Sequence, residues 1–267
     1  MPISRTSGLD VYYERAGSGP ALVLIHALPF DHNLWLYQVA RFSSHFTTFA
    51  LDLRGWGRSA KPHAPFSLSD MGADVLGILS DERIIDGAIV LGCSIGSKIA
   101  LMLACNHPDL FHAAILVGGN SGRQQRLGHR IAGYRDHSRA GTLKAYHLAH
   151  LRHGVTPAWA DSRMGRYLLR GFVERAALDT ESIGRVFEAL IESDLTGKLS
   201  DYSTPTMIVN GEFDSALEGG RRTASLIKHA EHHILPGTGH CCFLEDPDSF
   251  DALVRAFLVR NKLWPAR

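Results

Sequence analysis

From residue 21 to residue 118 the chain alternates short apolar runs with segments of helical periodicity. The runs cover residues 21–26, 46–53, 88–92 and 113–118, and each is continuous rather than polar/apolar in strict alternation. That is the pattern of parallel strands covered on both faces. Between the last two, Ile99, Ala100, Leu103 and Ala104 recur at helical spacing over residues 95–106, and His107-Pro108 supplies the stop. Strand, helix, strand in this order predicts right-handed crossovers and a mainly parallel central sheet flanked by helices, an α/β fold.

The pattern changes near the run Gly118-Gly119-Asn120-Ser121-Gly122. From there to about residue 200 it predicts helices and no strand. One covers residues 141–153, with Leu143, Tyr146 and Leu151 on a shared face. A second covers 157–172, opened by Thr156 as N-cap and Pro157 in the first turn. A third covers 180–195, with Ile183, Phe187, Leu190 and Ile191 facing one way. Strand pattern returns at 206–210 and 231–235, with a helix at 221–228 between them and a last one at 249–260. The expected organisation is therefore a core of residues 1–120 and 201–267 with a small helical cap, 121–200, inserted.

Composition narrows the setting. A chain of 267 residues fits one α/β domain with a modest insertion, and 45% apolar and 21% charged residues are ordinary for a globular protein. A net charge of +1 gives no field to gather nucleic acid or an acidic membrane, and neither is expected as a partner. No apolar run approaches the roughly 20 residues that cross a bilayer, and the N-terminus lacks a secretory apolar stretch. Of the four cysteines, Cys241 and Cys242 are adjacent, and no C-x-x-C spacing occurs. The expectation is a reducing cytoplasm, with no metal and no cofactor; self-association is left open.

The chemistry concentrates in three places. Gly92-Cys93-Ser94-Ile95-Gly96 satisfies G-x-S-x-G between a predicted strand and a predicted helix. A sharp turn there presents the serine hydroxyl above the sheet and aims a helix N-terminus at the reaction centre. A neutral hydroxyl is a weak nucleophile and needs an imidazole to take its proton. Among 15 histidines, His240 stands out because Pro236-Gly237-Thr238-Gly239-His240 is a flexible loop directly after the final strand. Asp214 follows the strand at 206–210 and is placed to orient that imidazole, with Glu212 as the competing acid. All three candidates lie at carboxyl ends of strands, where open α/β sheets collect their ligands.

The order Ser94, Asp214, His240 is that of the α/β-hydrolase superfamily, which the chain resembles over nearly its whole length. His26-Ala27-Leu28-Pro29 is similar to the family's oxyanion loop, and Asp52-Leu53-Arg54-Gly55-Trp56-Gly57-Arg58-Ser59 to its D-x-R-G-x-G-x-S turn. The stretch from Gly239 to Pro247 resembles its C-terminal histidine segment. The resemblance implies an oxyanion hole formed by the backbone N–H groups of Leu28 and Ile95. Ala27 stands at the usual glycine position and is an alternative donor. Asp52 and Arg54 are expected to pin their turn. Serine at the elbow sets the chain apart from the haloalkane dehalogenases and epoxide hydrolases, which use aspartate. The layout looks closest to small capped esterases, enol-lactonases and C–C bond hydrolases. The implied activity is hydrolysis of a small carboxylic ester or lactone. A C–C hydrolase, a cofactor-independent oxygenase and a non-catalytic ligand receptor are the alternatives on this scaffold.

Weaker signals remain. His147, His150 and His153 are spaced by three on one helix, which rotates them around it, and no acidic or thiol partner accompanies them. Cys241 and Cys242 are expected to pack. Residues 122–175 carry ten arginines and one lysine against Asp136, Asp161 and Glu174. They read first as solvent-facing helix edges, and otherwise as a surface that draws an anionic substrate. Trp159, Tyr167, Phe172 and Phe187 are candidates either for pocket lining or for plain packing.

Overall fold

The computed structural model describes residues 2–265, so the outermost residues of the expected core, 1 and 266–267, lie outside it. Eight strands form one sheet: β1 (Ile3–Ser4), β2 (Val11–Ala16), β3 (Ala21–Ile25), β4 (Thr47–Leu51), β5 (Ala88–Cys93), β6 (Phe111–Val117), β7 (Thr206–Gly211) and β8 (Glu231–Leu235). Their order is β1-β2-β4-β3-β5-β6-β7-β8. β2 runs antiparallel to both β1 and β4, and every other pairing is parallel. The six expected strands are present. The N-terminal pair was not signalled by the pattern: β1 has two residues, and Glu14 and Arg15 break the apolar run of β2 at a sheet edge.

Alternation along the strands builds two cores. Val23, Ile25, Phe49, Leu51 and Val90 point to one face, where they pack with Met71, Val75, Ile78, Ile99 and Leu103. Leu22, Leu24, Ala50, Ile89 and Leu91 point to the other, against Phe42, Phe250, Val254 and Phe257. These partners come from α1 (Leu36–Phe42), α2 (Leu68–Asp81) and α3 (Ile95–Asn106), and from a helix at the C-terminal end. Burial on both faces is why these strands read as continuous apolar runs.

Five helices follow β6 before β7 begins: α4 (Gly128–Arg139), α5 (Leu143–Arg152), α6 (Pro157–Ala160), α7 (Arg163–Arg175) and α8 (Thr180–Glu192). Among the described residues this segment holds no strand. Two details differ from the expectation. The single helix at 157–172 is two, because Ser162 is extended and its hydroxyl accepts from Gly165 N at 2.9 Å, starting a new helix. A Cβ at Gly165 would collide with the Trp159 carbonyl, so the two helices meet closely. The second detail is α4, which the pattern did not signal. Only Tyr134 is buried in it, so no apolar stripe marks it. The chain ends with α9 (Leu217–Leu226), α10 (Cys242–Glu245) and α11 (Pro247–Arg260). α9 begins four residues before the helix expected at 221. No helix among the described residues is long and apolar enough to cross a membrane.

Candidate active site

The turn between β5 and α3 is tight enough to dictate its sequence. A Cβ on Gly92 would run into the Gly96 carbonyl, and one on Gly96 into the Ile25 carbonyl. Ser94 between them adopts φ 56°, ψ −115°, a conformation that side-chain-bearing residues rarely hold. The turn is fixed by Ser94 N donating to Val117 O at 2.8 Å and Ser97 Oγ donating to Ser94 O at 2.6 Å. The Ser94 side chain therefore sits at the N-terminal end of α3, where the first-turn amides lack intrahelical acceptors.

His240 lies in the loop after β8. Its Nδ1–H donates to Asp214 Oδ1 at 2.7 Å. Burial disfavours the imidazolium, but the charge and hydrogen bond of Asp214 outweigh it and raise the His240 pKa to about 9. Asp214 is itself buried, which works against its charge. His240, the Ala216 N–H (2.8 Å) and Asn210 Nδ2 (2.7 Å) nevertheless hold its pKa below the ordinary carboxylate value. Asn210 is oriented in turn by His232 Nε2 donating to its Oδ1 at 2.9 Å. Glu212, the competing acid, points elsewhere and accepts from Gly237 N at 2.8 Å.

Gly118 fixes where the ring stands. Its φ is +59°, and a Cβ there would overlap the His240 imidazole. Its predecessor Val117 pairs with Cys93 in the sheet, so the ring lies one residue from the strand neighbouring the nucleophile. Ser94, His240, Leu28 and Gly118 line one cavity of about 750 Å³, within the size range of small-molecule sites. No hydrogen bond joins Ser94 to His240 among the described residues.

Leu28 is on the cavity wall and Ile95 opens α3, so both expected oxyanion donors belong to the rim that carries Ser94. Their loop is held by His26, which is fully buried. His26 Nε2 accepts from Leu53 N at 3.0 Å and its Nδ1 donates to Ala27 O at 3.0 Å. Burial keeps that imidazole neutral, as this pair of bonds requires. Asp52 takes bonds from His32 N, His32 Nδ1 and Arg58 N, each at 2.8 Å. Arg54 pairs with Asp74 through two bonds of 2.7 Å. Both side chains are engaged in holding their turn.

Two supports gave no sequence signal. Glu245 accepts from Gly239 N at 2.7 Å and from Thr156 N at 3.0 Å, tying the His240 loop to the segment before α6. Lys98, one turn after Ser94, is buried and donates to Gly122 O at 2.6 Å and Ser193 O at 2.9 Å. Lys98 is the one cation of an apolar helix and Glu245 the first acid of the run Glu245-Asp246-Pro247-Asp248, and nothing in their spacing points to a partner far along the chain.

Of the four aromatic candidates, Phe187 lines the cavity. Phe172 packs edge-on against Phe30, and Tyr167 is 75% exposed. Cys93, Cys241 and Cys242 are fully buried with free thiols. His147 and His150 share the Tyr134 hydroxyl, at 3.1 and 3.0 Å. No metal-holding group of His, Cys, Asp and Glu occurs among the described residues.

A parallel sheet with a strained serine between strand and helix, and an Asp–His pair at neighbouring strand ends, defines the hydrolase class of α/β protein. The family model of the alpha/beta hydrolase fold matches residues 20–247, and the chain belongs to that family. Among curated relatives, 3-oxoadipate enol-lactonase 2 of Acinetobacter baylyi is 26% identical, over 90% of this chain and 89% of its own. The pimeloyl-[acyl-carrier protein] methyl ester esterase of Yersinia enterocolitica is 28% identical, over 94% of this chain and 98% of its own. The crystal structure of the enol-lactonase from Burkholderia xenovorans superposes with a TM-score of 0.88 at 25% identity, covering 97% of this chain and 100% of that one.

Proposed function

We propose that this α/β hydrolase cleaves a small carboxylic ester or lactone through an acyl-enzyme on Ser94. The observation that carries this reading is the 2.7 Å bond from His240 to buried Asp214, beside a serine held at φ 56° on the same cavity. His240 Nε2 takes the Ser94 proton as the hydroxyl oxygen attacks the carbonyl carbon. The backbone N–H groups of Leu28 and Ile95 stabilise the oxyanion. Collapse of the tetrahedral adduct expels the alkoxide, which receives the proton from His240. Water, deprotonated by the same imidazole, then attacks the acyl-enzyme; the second adduct breaks its bond to Ser94 Oγ, which takes the proton back from His240 as the acid leaves. Catalytic bonds are often open in an empty site and tighten around substrate, which is how we read the unjoined Ser94 and His240.

We further propose that residues 121–200 act as a cap over a core of 1–120 and 201–267, with the substrate between them. Relatives named as an enol-lactonase and a methyl ester esterase support ester or lactone chemistry over carbon–carbon cleavage. The cationic side of the cavity favours a substrate that carries negative charge.

Incubation with a fluorophosphonate should add one phosphonyl mass per chain, mapped by peptide mass spectrometry to Ser94 and absent from Ser94→Ala. Labelling that persists in Ser94→Ala, or no labelling and no turnover of p-nitrophenyl esters by the native protein, would overturn the reading.

A further inference from the structure

Arg123, Arg126 and Arg130 line the same cavity as Ser94, and no carboxylate lines the space with them. In the surrounding segment the three acids are already engaged by other arginines. Arg135 pairs with Asp136 at 3.2 Å, Arg152 with Asp161 at 2.8 Å and Arg170 with Glu174 at 2.8 Å. Arg123 lies near Asp194 and helps hold its carboxyl down. Arg126 and Arg130 have no carboxylate partner among the described residues. Arg126 is exposed at the cavity mouth, on the short turn Gln125–Leu127, and Arg130 follows in the first turn of α4.

Arg130 is the unusual one. Its Nε is buried and has no hydrogen-bond partner. A guanidinium nitrogen withdrawn from water without an acceptor is costly, and folded proteins rarely leave one unanswered. The neighbouring groups do not answer it. The Tyr134 hydroxyl bridges His147 Nδ1 and His150 Nδ1, donating to one ring and accepting from the other. Burial and the adjacent Arg130 charge push the His150 pKa down to about 2, so this ring stays neutral and brings no counter-charge.

Resting on the ester-hydrolase reading, we propose that Arg130, assisted by Arg126, anchors a carboxylate on the substrate remote from the scissile carbonyl. The preferred substrates are then half-esters or lactones of dicarboxylic acids. A planar carboxylate matches the guanidinium fork, and a turn of the side chain into the cavity would bring Nε the acceptor it lacks. With the acid held on the cap and the carbonyl at Ser94, the cavity positions the substrate from both ends.

The test compares p-nitrophenyl glutarate, which keeps a free carboxylate, with its methyl-capped diester on the intact protein. The native enzyme should favour the acid by about 10–100-fold in kcat/KM, the range expected for a hydrogen bond to a charged group. Added salt should narrow that gap at the exposed mouth. Arg130→Gln should bring the two substrates within about threefold, by raising KM for the acid alone, and Arg130→Lys should restore part of the difference. Arg126→Gln should give a smaller loss of the same kind and serves if Arg130→Gln does not fold. No acid preference in the native enzyme, or equal losses on both substrates in the variants, overturns the anchor while leaving ester hydrolysis intact. If neither ester is turned over, the hydrolase reading fails instead. Calorimetry with glutarate then decides the anchor: binding abolished by Arg130→Gln supports it, and no binding to the native chain refutes it.

Discussion

At the strand ends, Asp214 directs one carboxylate oxygen to His240 and Ala216 N and the other to Asn210, which is itself oriented by His232. On the facing helical segment, Arg130 brings a buried Nε to the same cavity with no acceptor at all. On the first wall the Asp214 carboxylate and His240 Nδ1 are fixed by partners of their own before any substrate arrives. Preorganisation of this kind stabilises developing charge without reorganisation. The second wall is left unsatisfied, and an unmet polar group is a preference for whatever can meet it. In the reaction proposed above, chemistry and selectivity fall to different regions of the chain, one built on strands and the other on helices.

The comparison can be broken most severely at Asp214. Asp214→Asn keeps the size of the side chain but removes the charge that fixes the His240 tautomer. We expect kcat to fall by about 10⁴-fold with little change in fold. The pH profile carries the second half of this prediction. His240 acts as a base only when neutral, so kcat/KM rises as pH passes upward through its pKa. Because Asp214 raises that pKa to about 9, the native limb should lie well above the ordinary imidazole value of about 6.5. In Asp214→Asn burial acts unopposed and the limb should move to lower pH. An unchanged limb would show that another group titrates. The native pair also carries a stability consequence. A His pKa raised by folding stabilises fully below about 6.5, and that contribution is lost as pH rises towards 9.

A less drastic break is Gly118→Ala. The new methyl needs a left-handed backbone at φ +59° and the space that the imidazole occupies. His240 must turn away, and a displacement of about 1 Å in a catalytic group costs on the order of 10²-fold in rate. Circular dichroism should remain native while fluorophosphonate labelling slows in proportion to kcat/KM. Normal activity in this variant would mean that His240 works from another position.

How far each wall could be read from the sequence follows the same division. Strands β3 to β7 were legible because parallel strands buried on both faces give unbroken apolar runs, whereas β1 has only two residues and β2 is broken by exposed Glu14 and Arg15. Gly92, Ser94, Gly96, Asp214 and His240 were legible because the elbow is a local steric problem and each partner follows a strand directly. The sequence favours Asp214 over Glu212 as the acid, and it is Asp214 that bonds His240 while Glu212 accepts from Gly237. Helix α4 escaped notice because its exposed residues carry no apolar period, and Arg130 went with it as one arginine among many. An unsatisfied nitrogen is a relation between distant atoms. Composition cannot express it.

Lys98 is where the two regions are fastened together, and it offers the smallest and most specific break. Its ammonium donates to Gly122 O on the chain leaving β6 and to Ser193 O on the chain returning after α8, beside the Leu195 N to Ser121 O bond of 2.9 Å. Burial lowers its pKa to about 8, partly countered by Asp194. Since an unfolded lysine titrates near 10.4, the unfolded chain holds more protons between these values, and the stability of the native protein gains as pH rises through that window. Lys98→Met removes the donor and the titration together. Two orphaned carbonyls should lower stability by about 1–3 kcal/mol at pH 7.5, and the deficit relative to native should widen at pH 10, where the native chain has shed its burial penalty. Urea unfolding at the two pH values measures both quantities. Limited proteolysis should then cut first near residues 122 and 193, at the two ends of the helical segment, while ester hydrolysis falls far less than in Asp214→Asn. Equal stability of variant and native chain at both pH values would show that the helical segment is held by its apolar face alone.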